Sequence, residues 1–215
     1  MAEKIAIVDY GSGNLRSVQK ALQRAAHEAG VAASVVVTAE ADVIAKADRI
    51  VLPGVGAFGA GMEGLRARAG VPEAMEQAVL AAGRPFLGIC VGMQLLADCG
   101  REFGVHDGLG WIAGEVTALP ESGSAYRTPH MGWNAVRVES PHPVLENITE
   151  EAFYFAHSYH FVPENDIHLI GTCYHGAQLA AIVARDNIFG VQFHPEKSQT
   201  AGLALLANFL QWSPA

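Results

Sequence analysis

The chain has 215 residues, half of them hydrophobic, and a formal net charge of -8 from 14 basic and 22 acidic side chains. That length and apolar content predict one domain over residues 1–215 with a large buried core, and the acidic balance leaves no basic footprint for nucleic acid or an anionic membrane. The opening MAEKIAIVDYGSGN runs straight into a strand-like segment, and no apolar stretch is long enough to span a bilayer, so a cytoplasmic protein is expected. Cys90, Cys99 and Cys173 form an odd set without CxxC spacing. This disfavours a disulfide framework or a zinc knuckle and leaves room for one reactive thiol.

KIAIVDY (4–10) has the continuous apolar character of a buried strand, and Leu15, Val18, Leu22 and Ala25 then recur at helical spacing until Gly30. ASVVVT (33–38), ADVIAKA (41–47) and RIVLPGVG (49–56) repeat the theme, and an alanine-rich helical stretch leads into PFLGIC (85–90) and a helix predicted over VGMQLLAD (91–98). Apolar strands alternating with helices predict an α/β doubly wound fold, a mostly parallel sheet with helices on both faces. Beyond Gly108 the chain turns β-rich: WIAGEVTALP, NAVRVES, FYFAHSYHF, HLIGTCYH, LAAIVAR and NIFGVQFH each read as a strand, ESGSAYRTP (121–129) as an exposed loop, and AGLALLANFLQW (201–212) as a closing amphipathic helix.

The chemistry concentrates at GICVG, where Cys90 stands between Gly88 and Gly92 at a strand-to-helix junction. In a G-x-nucleophile-x-G turn the nucleophile takes a strained conformation, and its neighbours must be small to avoid a clash. A helix starting at Val91 would turn its free N–H groups and positive dipole end toward the sulfur, favouring thiolate. A buried small hydrophobe is the ordinary reading of a cysteine; it is retained for Cys99 and Cys173, which lack this setting. Of the nine histidines, His194 is the best base, because it ends the apolar strand NIFGVQF and precedes Pro195 and Glu196. Extended positions two apart share a face, so Glu196 can orient its imidazole. VLPGVGAF (51–58), a glycine-rich loop after a strand, offers backbone N–H groups for an oxyanion.

GICVGMQLL together with FHPEKS resembles the class I, triad-type glutamine amidotransferases. DYGSGNLRSV (9–18), LPGVGAFGAGM (52–62), PHMGWN (129–134), YFAHSYHF (154–161) and GVQFHPEKS (190–198) are similar to their imidazole glycerol phosphate synthase branch. The resemblance implies hydrolysis of L-glutamine to glutamate and ammonia through a γ-glutamyl thioester on Cys90, with His194 moving protons and Glu196 holding His194. It implies an oxyanion strand at Pro53, Gly54, Val55 and Gly56, joined by the Val91 amide, and substrate binding by Gln94, Glu102, Ser158 and Tyr159. It further implies a heterodimer with a (β/α)8-barrel cyclase subunit (HisF) that uses the ammonia in histidine biosynthesis, contacted through Asn14, His130, Trp133, Tyr154 and Lys197. No cofactor is implied. Val91 and Ala156 replace the more frequent leucine and valine of these motifs, and neither change removes a functional group.

YGSGN is not a dinucleotide fingerprint, because Arg16 stands where the third glycine is required. His157, His160 and His175 match no common metal-ligand spacing, and no metal is expected. The competing readings are a partner-independent amidotransferase or γ-glutamyl peptidase on the same scaffold, and a binding subunit that keeps the fold without catalysis. The intact triad argues against the second.

Overall fold

The computed structural model describes residues 2–121, 126–148 and 152–214. The chain begins with the strands β1 (Glu3–Val8), β2 (Ala33–Thr38), β3 (Arg49–Gly54) and β4 (Phe86–Cys90). Between them lie the helices α1 (Leu15–Glu28), α2 (Ala41–Ala45), α3 (Phe58–Arg66) and α4 (Val71–Glu76). The one-turn helix α5 (Val91–Gln94) follows β4, and α6 (Gln199–Gln211) closes the chain. The later strands are β5 (Cys99–Gly100), β6 (His106–Asp107), β7 (Gly114–Ala118), β8 (His130–Ala135), β9 (Arg137–Val138), β10 (Ala152–His157), β11 (Tyr159–Pro163), β12 (Leu169–Tyr174), β13 (Gln178–Arg185) and β14 (Ile188–Val191).

The central sheet has the order β2-β1-β3-β4-β14-β13-β12-β9. Its first five strands run parallel and its last three antiparallel. The expected α/β architecture with a β-rich second half is therefore the one observed. β3, β4 and β14 are buried at every residue, as their unbroken apolar runs require of strands covered on both faces. α1 buries Val18, Leu22, Ala25 and Ala26, one stripe at helical spacing. It ends in a Schellman cap: Gly30 takes φ +67°, its N–H bonds the His27 carbonyl at 3.2 Å, and the Val31 N–H bonds the Ala26 carbonyl at 2.9 Å.

Three sequence readings are revised. FYFAHSYHF is not one strand: it breaks at Ser158, whose carbonyl accepts the Leu119 N–H at 2.9 Å, and β10 and β11 enter different sheets. β10 pairs with β8, whereas β11 joins a four-stranded sheet in the order β11-β7-β5-β6. NAVRVES divides between β8 and β9 at Val136. The helix expected to Asp98 stops after one turn, because the carbonyls of Leu95, Leu96, Ala97 and Asp98 accept amides from residues 108–112 rather than from a continuing helix. Gly108 makes that return possible, since a Cβ there would lie 2.0 Å from the Ala97 carbonyl oxygen. Of the loop expected over 121–129, residues 122–125 lie outside the described residues.

The ends of the chain meet at Arg49, which opens β3. Its guanidinium donates to the carbonyls of Phe209 and Trp212 at 2.9 and 2.6 Å, satisfying the C-terminal end of α6, and pairs with Glu3 at 2.8 Å. Arg49→Met leaves the Trp212 carbonyl without the guanidinium donor and the Phe209 carbonyl with only the Trp212 N–H, 3.3 Å away, and is expected to lower unfolding free energy by about 2–4 kcal/mol. Urea denaturation checks this, and a loss under about 0.5 kcal/mol, the usual size of a surface change, would contradict it.

Candidate active site

Cys90 is the last residue of β4, paired in register with Gly54 of β3. Its backbone sits at φ 54°, ψ −113°, a region that L-residues occupy only under constraint. The constraint is close packing of the turn that follows. A Cβ on Gly92 would stand 1.7 Å from the Leu52 carbonyl oxygen, and one on Gly88 would stand 2.7 Å from the Gly92 carbonyl oxygen. No other residue type fits at either place, so the G-x-C-x-G spacing has a steric cause. The single turn of α5 has too few aligned peptides for the strong dipole expected from the sequence, but Val91 occupies its first position, where an amide lacks an intrahelical acceptor.

His194 lies beyond the end of β14, after a bend at Gln192 and Phe193 rather than at the strand terminus. Its backbone N–H bonds the Tyr154 carbonyl at 2.9 Å. Its carbonyl accepts the Ser198 hydroxyl at 2.7 Å, and that hydroxyl in turn accepts the Tyr154 N–H at 3.0 Å. The imidazole Nδ1 meets Glu196 Oε1 at 2.8 Å. Glu196 reaches it from a 3-10 turn, Pro195–Lys197, and not along an extended strand, so the expected contact is made by a different conformation. Asn14, in the left-handed region at φ 69° ahead of α1, donates its Nδ2 to the same carboxylate oxygen. An amide expected to face a partner thus braces Glu196. Burial of His194 opposes its charge, but hydrogen bonds and charge attraction from Cys90 and Glu196 outweigh burial and push its pKa up to about 9. In that protonated form Nδ1 faces Glu196, leaving the other ring nitrogen for Cys90.

Cys90 and His194 open on a cleft of about 380 Å³ that is also lined by Val55, Gly56, Val91, Gln94, Glu102, Ser158, Tyr159 and Lys197. All four expected substrate residues therefore line the cleft on which the sulfur opens, while Gly54 and Glu196 are not among its lining residues. A larger cleft, about 820 Å³, shares Glu102 but reaches neither Cys90 nor His194.

Both amide hydrogens of Gln94 are committed, to the Tyr159 carbonyl and to Gln192 Oε1, each at 3.0 Å. What Gln94 can offer a ligand is its carbonyl oxygen. Glu102 Oε2 accepts the Phe58 N–H at 2.8 Å, tying the α3 start to the cleft. The expected oxyanion donor Val55 is otherwise engaged: its N–H bonds Ser12 Oγ at 2.8 Å. Sequence reasoning missed Ser12 and Gln192. The one available signal was a glutamine inside the apolar run FGVQFH.

Of the expected partner-facing residues, Trp133 and Lys197 are exposed, and both lean on Tyr154: the Trp133 and Tyr154 rings are 6.2 Å apart, and Lys197 Nζ lies 5.6 Å from the Tyr154 ring centre. His130 does not belong to that surface. It is 4 % exposed, stacked between Phe155 and His175, with Nδ1 2.8 Å from His157 Nε2. Burial holds it and His157 neutral, with pKa values lowered to about 4 and about 3. The resemblance had put it at a partner contact, but β8 alternates outward Met131 and Trp133 with inward residues, and His130 is inward. Among the described residues no cluster of three His, Cys, Asp or Glu side chains could hold a metal ion.

A cysteine on a strained strand-to-turn elbow among the parallel strands of a mixed sheet, facing a carboxylate-braced histidine, defines a thiol hydrolase of the α/β type. The family model described as glutamine amidotransferase class-I matches residues 6–212. The imidazole glycerol phosphate synthase subunit HisH of Rhodospirillum rubrum is 51% identical over 98% of this chain and 100% of its own length. Those of Caulobacter vibrioides (99% and 100% covered) and Zymomonas mobilis (98% and 96%) are 53% and 54% identical. A crystal structure of a glutamine amidotransferase superposes with TM-score 0.67 at 18% identity over 96% of this chain and 97% of its own, which supports the fold. A second, from Thermotoga maritima, gives 0.62 at 15% identity over 91% and 77%. The chain belongs to the class-I glutamine amidotransferase family and, within it, to the HisH subunits of imidazole glycerol phosphate synthase.

A histidine whose folded pKa is raised binds its proton more tightly in the native state. Its contribution to stability is therefore complete below the unfolded value near 6.5 and is lost as pH rises through about 9. An NMR titration of His194 is expected to show the imidazolium persisting through neutrality, and the stability gap between wild type and His194→Gln should narrow from pH 6.5 to 9. A midpoint below 6.5 would overturn the assignment of an ion-paired His194.

Proposed function

We propose that this chain is the glutaminase of an imidazole glycerol phosphate synthase, acting as one cytoplasmic domain over residues 1–215. It hydrolyses L-glutamine at Cys90 and passes ammonia to a (β/α)8-barrel cyclase subunit of the HisF kind. The observation that carries the reading is the convergence of Cys90, His194, Gln94, Glu102, Ser158 and Tyr159 on one cleft. Among the described residues no helix is long and apolar enough to cross a membrane.

The Cys90 sulfur attacks the side-chain amide carbon of glutamine, forming a C–S bond and placing charge on the former carbonyl oxygen. The Val91 and Gly56 amides are the donors available to that oxyanion. The His194 imidazolium gives its proton to the departing nitrogen, the C–N bond breaks, and ammonia leaves a γ-glutamyl thioester. Water then attacks the acyl carbon and loses its proton to His194, and the C–S bond breaks to release glutamate. Gln94, restricted to its carbonyl oxygen, suits the substrate's α-ammonium rather than its carboxylate, and Glu102 suits the same positive group. Glu196, buried and braced by Asn14 and His194, holds the imidazole in register.

Partner dependence has a support of its own. Trp133 and Lys197 pack on Tyr154, whose carbonyl bonds the His194 N–H. A protein docked on this face would press on the base through one residue. The Ser12–Val55 bond keeps one loop amide away from the oxyanion, so the chain alone is expected to be slow.

Glutamate release by the chain should be low alone and rise with the cyclase subunit and its nucleotide ligand; full activity alone would sink the subunit reading. Cys90→Ala should reduce glutamate release at least a thousandfold while sparing ammonia-dependent synthesis by the complex, and retained glutamine turnover would move the nucleophile elsewhere. Ser12→Ala, which unties Val55, is expected to raise glutamate release without partner by about tenfold, a fraction of what one oxyanion donor contributes. An unchanged rate would show that the Ser12 bond restrains nothing.

A further inference from the structure

Gln192 precedes His194 by two residues, is wholly buried, and no role is assigned to it in the mechanism above. Its backbone N–H is used by the Ala181 carbonyl at 2.9 Å, which fixes where the side chain starts. The orientation of its amide follows from a chain of donors and acceptors that ends on main-chain atoms. The Tyr159 carbonyl can only accept, so the group Gln94 presents to it, 3.0 Å away, is its NH2. The second hydrogen of that NH2 points at the Gln192 side chain, also at 3.0 Å, so Gln192 presents its carbonyl oxygen there. Its own NH2 then faces the opposite way, and Cys90 Sγ lies 3.7 Å from it, within the reach of an N–H to sulfur hydrogen bond.

The far end of the chain is equally determined. The Tyr159 carbonyl also accepts His157 Nδ1–H at 2.8 Å, so His157 Nε2 accepts from His130 Nδ1 at 2.8 Å. His130 Nε2 accepts from Asn134 at 3.0 Å. With both histidines held neutral by burial, no member can reverse its direction. Flipping the Gln192 amide would set NH2 against NH2 at Gln94 and carbonyl oxygen against sulfur at Cys90, both repulsive.

We propose that Gln192 is a further catalytic residue, an amide donor to the Cys90 sulfur that stabilises its anionic form and fixes its rotamer for attack. The proposal rests on Cys90 as nucleophile. A hydrogen bond to the charged sulfur raises the fraction of Cys90 present as the reactive anion, so its loss falls on that fraction and, through it, on kcat.

Gln192→Glu separates this role from a structural one. The carboxylate keeps the size of the amide and the acceptor that Gln94 needs, but puts negative charge where the sulfur finds a donor; Gln192→Met removes the donor without adding charge. The pH dependence of iodoacetamide alkylation at Cys90 is read by peptide mass, and glutamate release is measured with the cyclase partner present. At pH 7, alkylation is expected to slow by about tenfold in Gln192→Met and by more in Gln192→Glu. The alkylation midpoint should move to higher pH in both, and kcat should fall with KM within about twofold. A Gln192→Glu variant with the wild-type alkylation profile would overturn the proposal, because a role confined to positioning Gln94 predicts that rescue.

Cys90→Ala run alongside distinguishes failure of the underlying reading, which would appear as retained glutamine turnover. If circular dichroism shows that neither variant folds, the side-chain amide resonance of Gln192 in the wild-type background decides. It should shift on Cys90→Ala, and an unmoved resonance overturns the proposal.

Discussion

The whole site depends on how closely the turn after β4 lies against β3. With the Leu52 carbonyl oxygen where a side chain on Gly92 would have to be, the chain can leave the sheet in only one direction, and Cys90 is forced to positive φ. That places the sulfur at the carboxyl end of the parallel strands, where α/β sheets open onto a crevice. The cost of the strained cysteine, of order 1–3 kcal/mol, is carried by strands buried on both faces. The same packing shortens α5: once the turn is pinned to β3, residues 108–112 take the carbonyls that a longer helix would have used.

The second constraint is electrostatic. Glu196 and His194 are almost wholly removed from water, their side chains 0% and 3% exposed, and each charge is tolerable only beside the other. One oxygen of Glu196 receives both the imidazole and the Asn14 amide, while the other, Oε2, has no partner among the described residues. Ionisation is thereby tied to geometry. Anything that moves the His194 backbone, which is held to Tyr154 and Ser198, moves its imidazole with it. The exposed pair Trp133 and Lys197 meets that backbone through Tyr154, so the surface and the chemistry share one mechanical element.

Much of this was legible in the sequence for definite reasons. Unbroken apolar strands announced a doubly covered sheet, and glycines flanking Cys90 announced a turn with no room for side chains. HPE placed a base and its carboxylate within reach, although the 3-10 turn that joins them is a property of Pro195 and was not foreseen. The misreadings share a cause: local pattern does not say which partner a backbone group will find. Ser158 looks like mid-strand until the Leu119 amide claims its carbonyl, and His130, which the family resemblance put at a partner contact, turns inward once β8 is paired with β10. Asn14 and Ser12 lie in GSGN, far in sequence from Glu196 and Val55, and only the fold joins them. Gln192 was hidden as one polar letter in an apolar run.

The central claim is that the strained cysteine is the group that attacks glutamine. A glutamine analogue bearing an electrophilic carbon in place of the amide nitrogen tests it directly, with the protein complexed to its cyclase partner and the labelled peptides mapped by mass spectrometry. The account predicts one label, on Cys90, suppressed by excess L-glutamine and accompanied by complete loss of glutamate release. Label on Cys99 or Cys173, or inactivation with Cys90 unmodified, would contradict it.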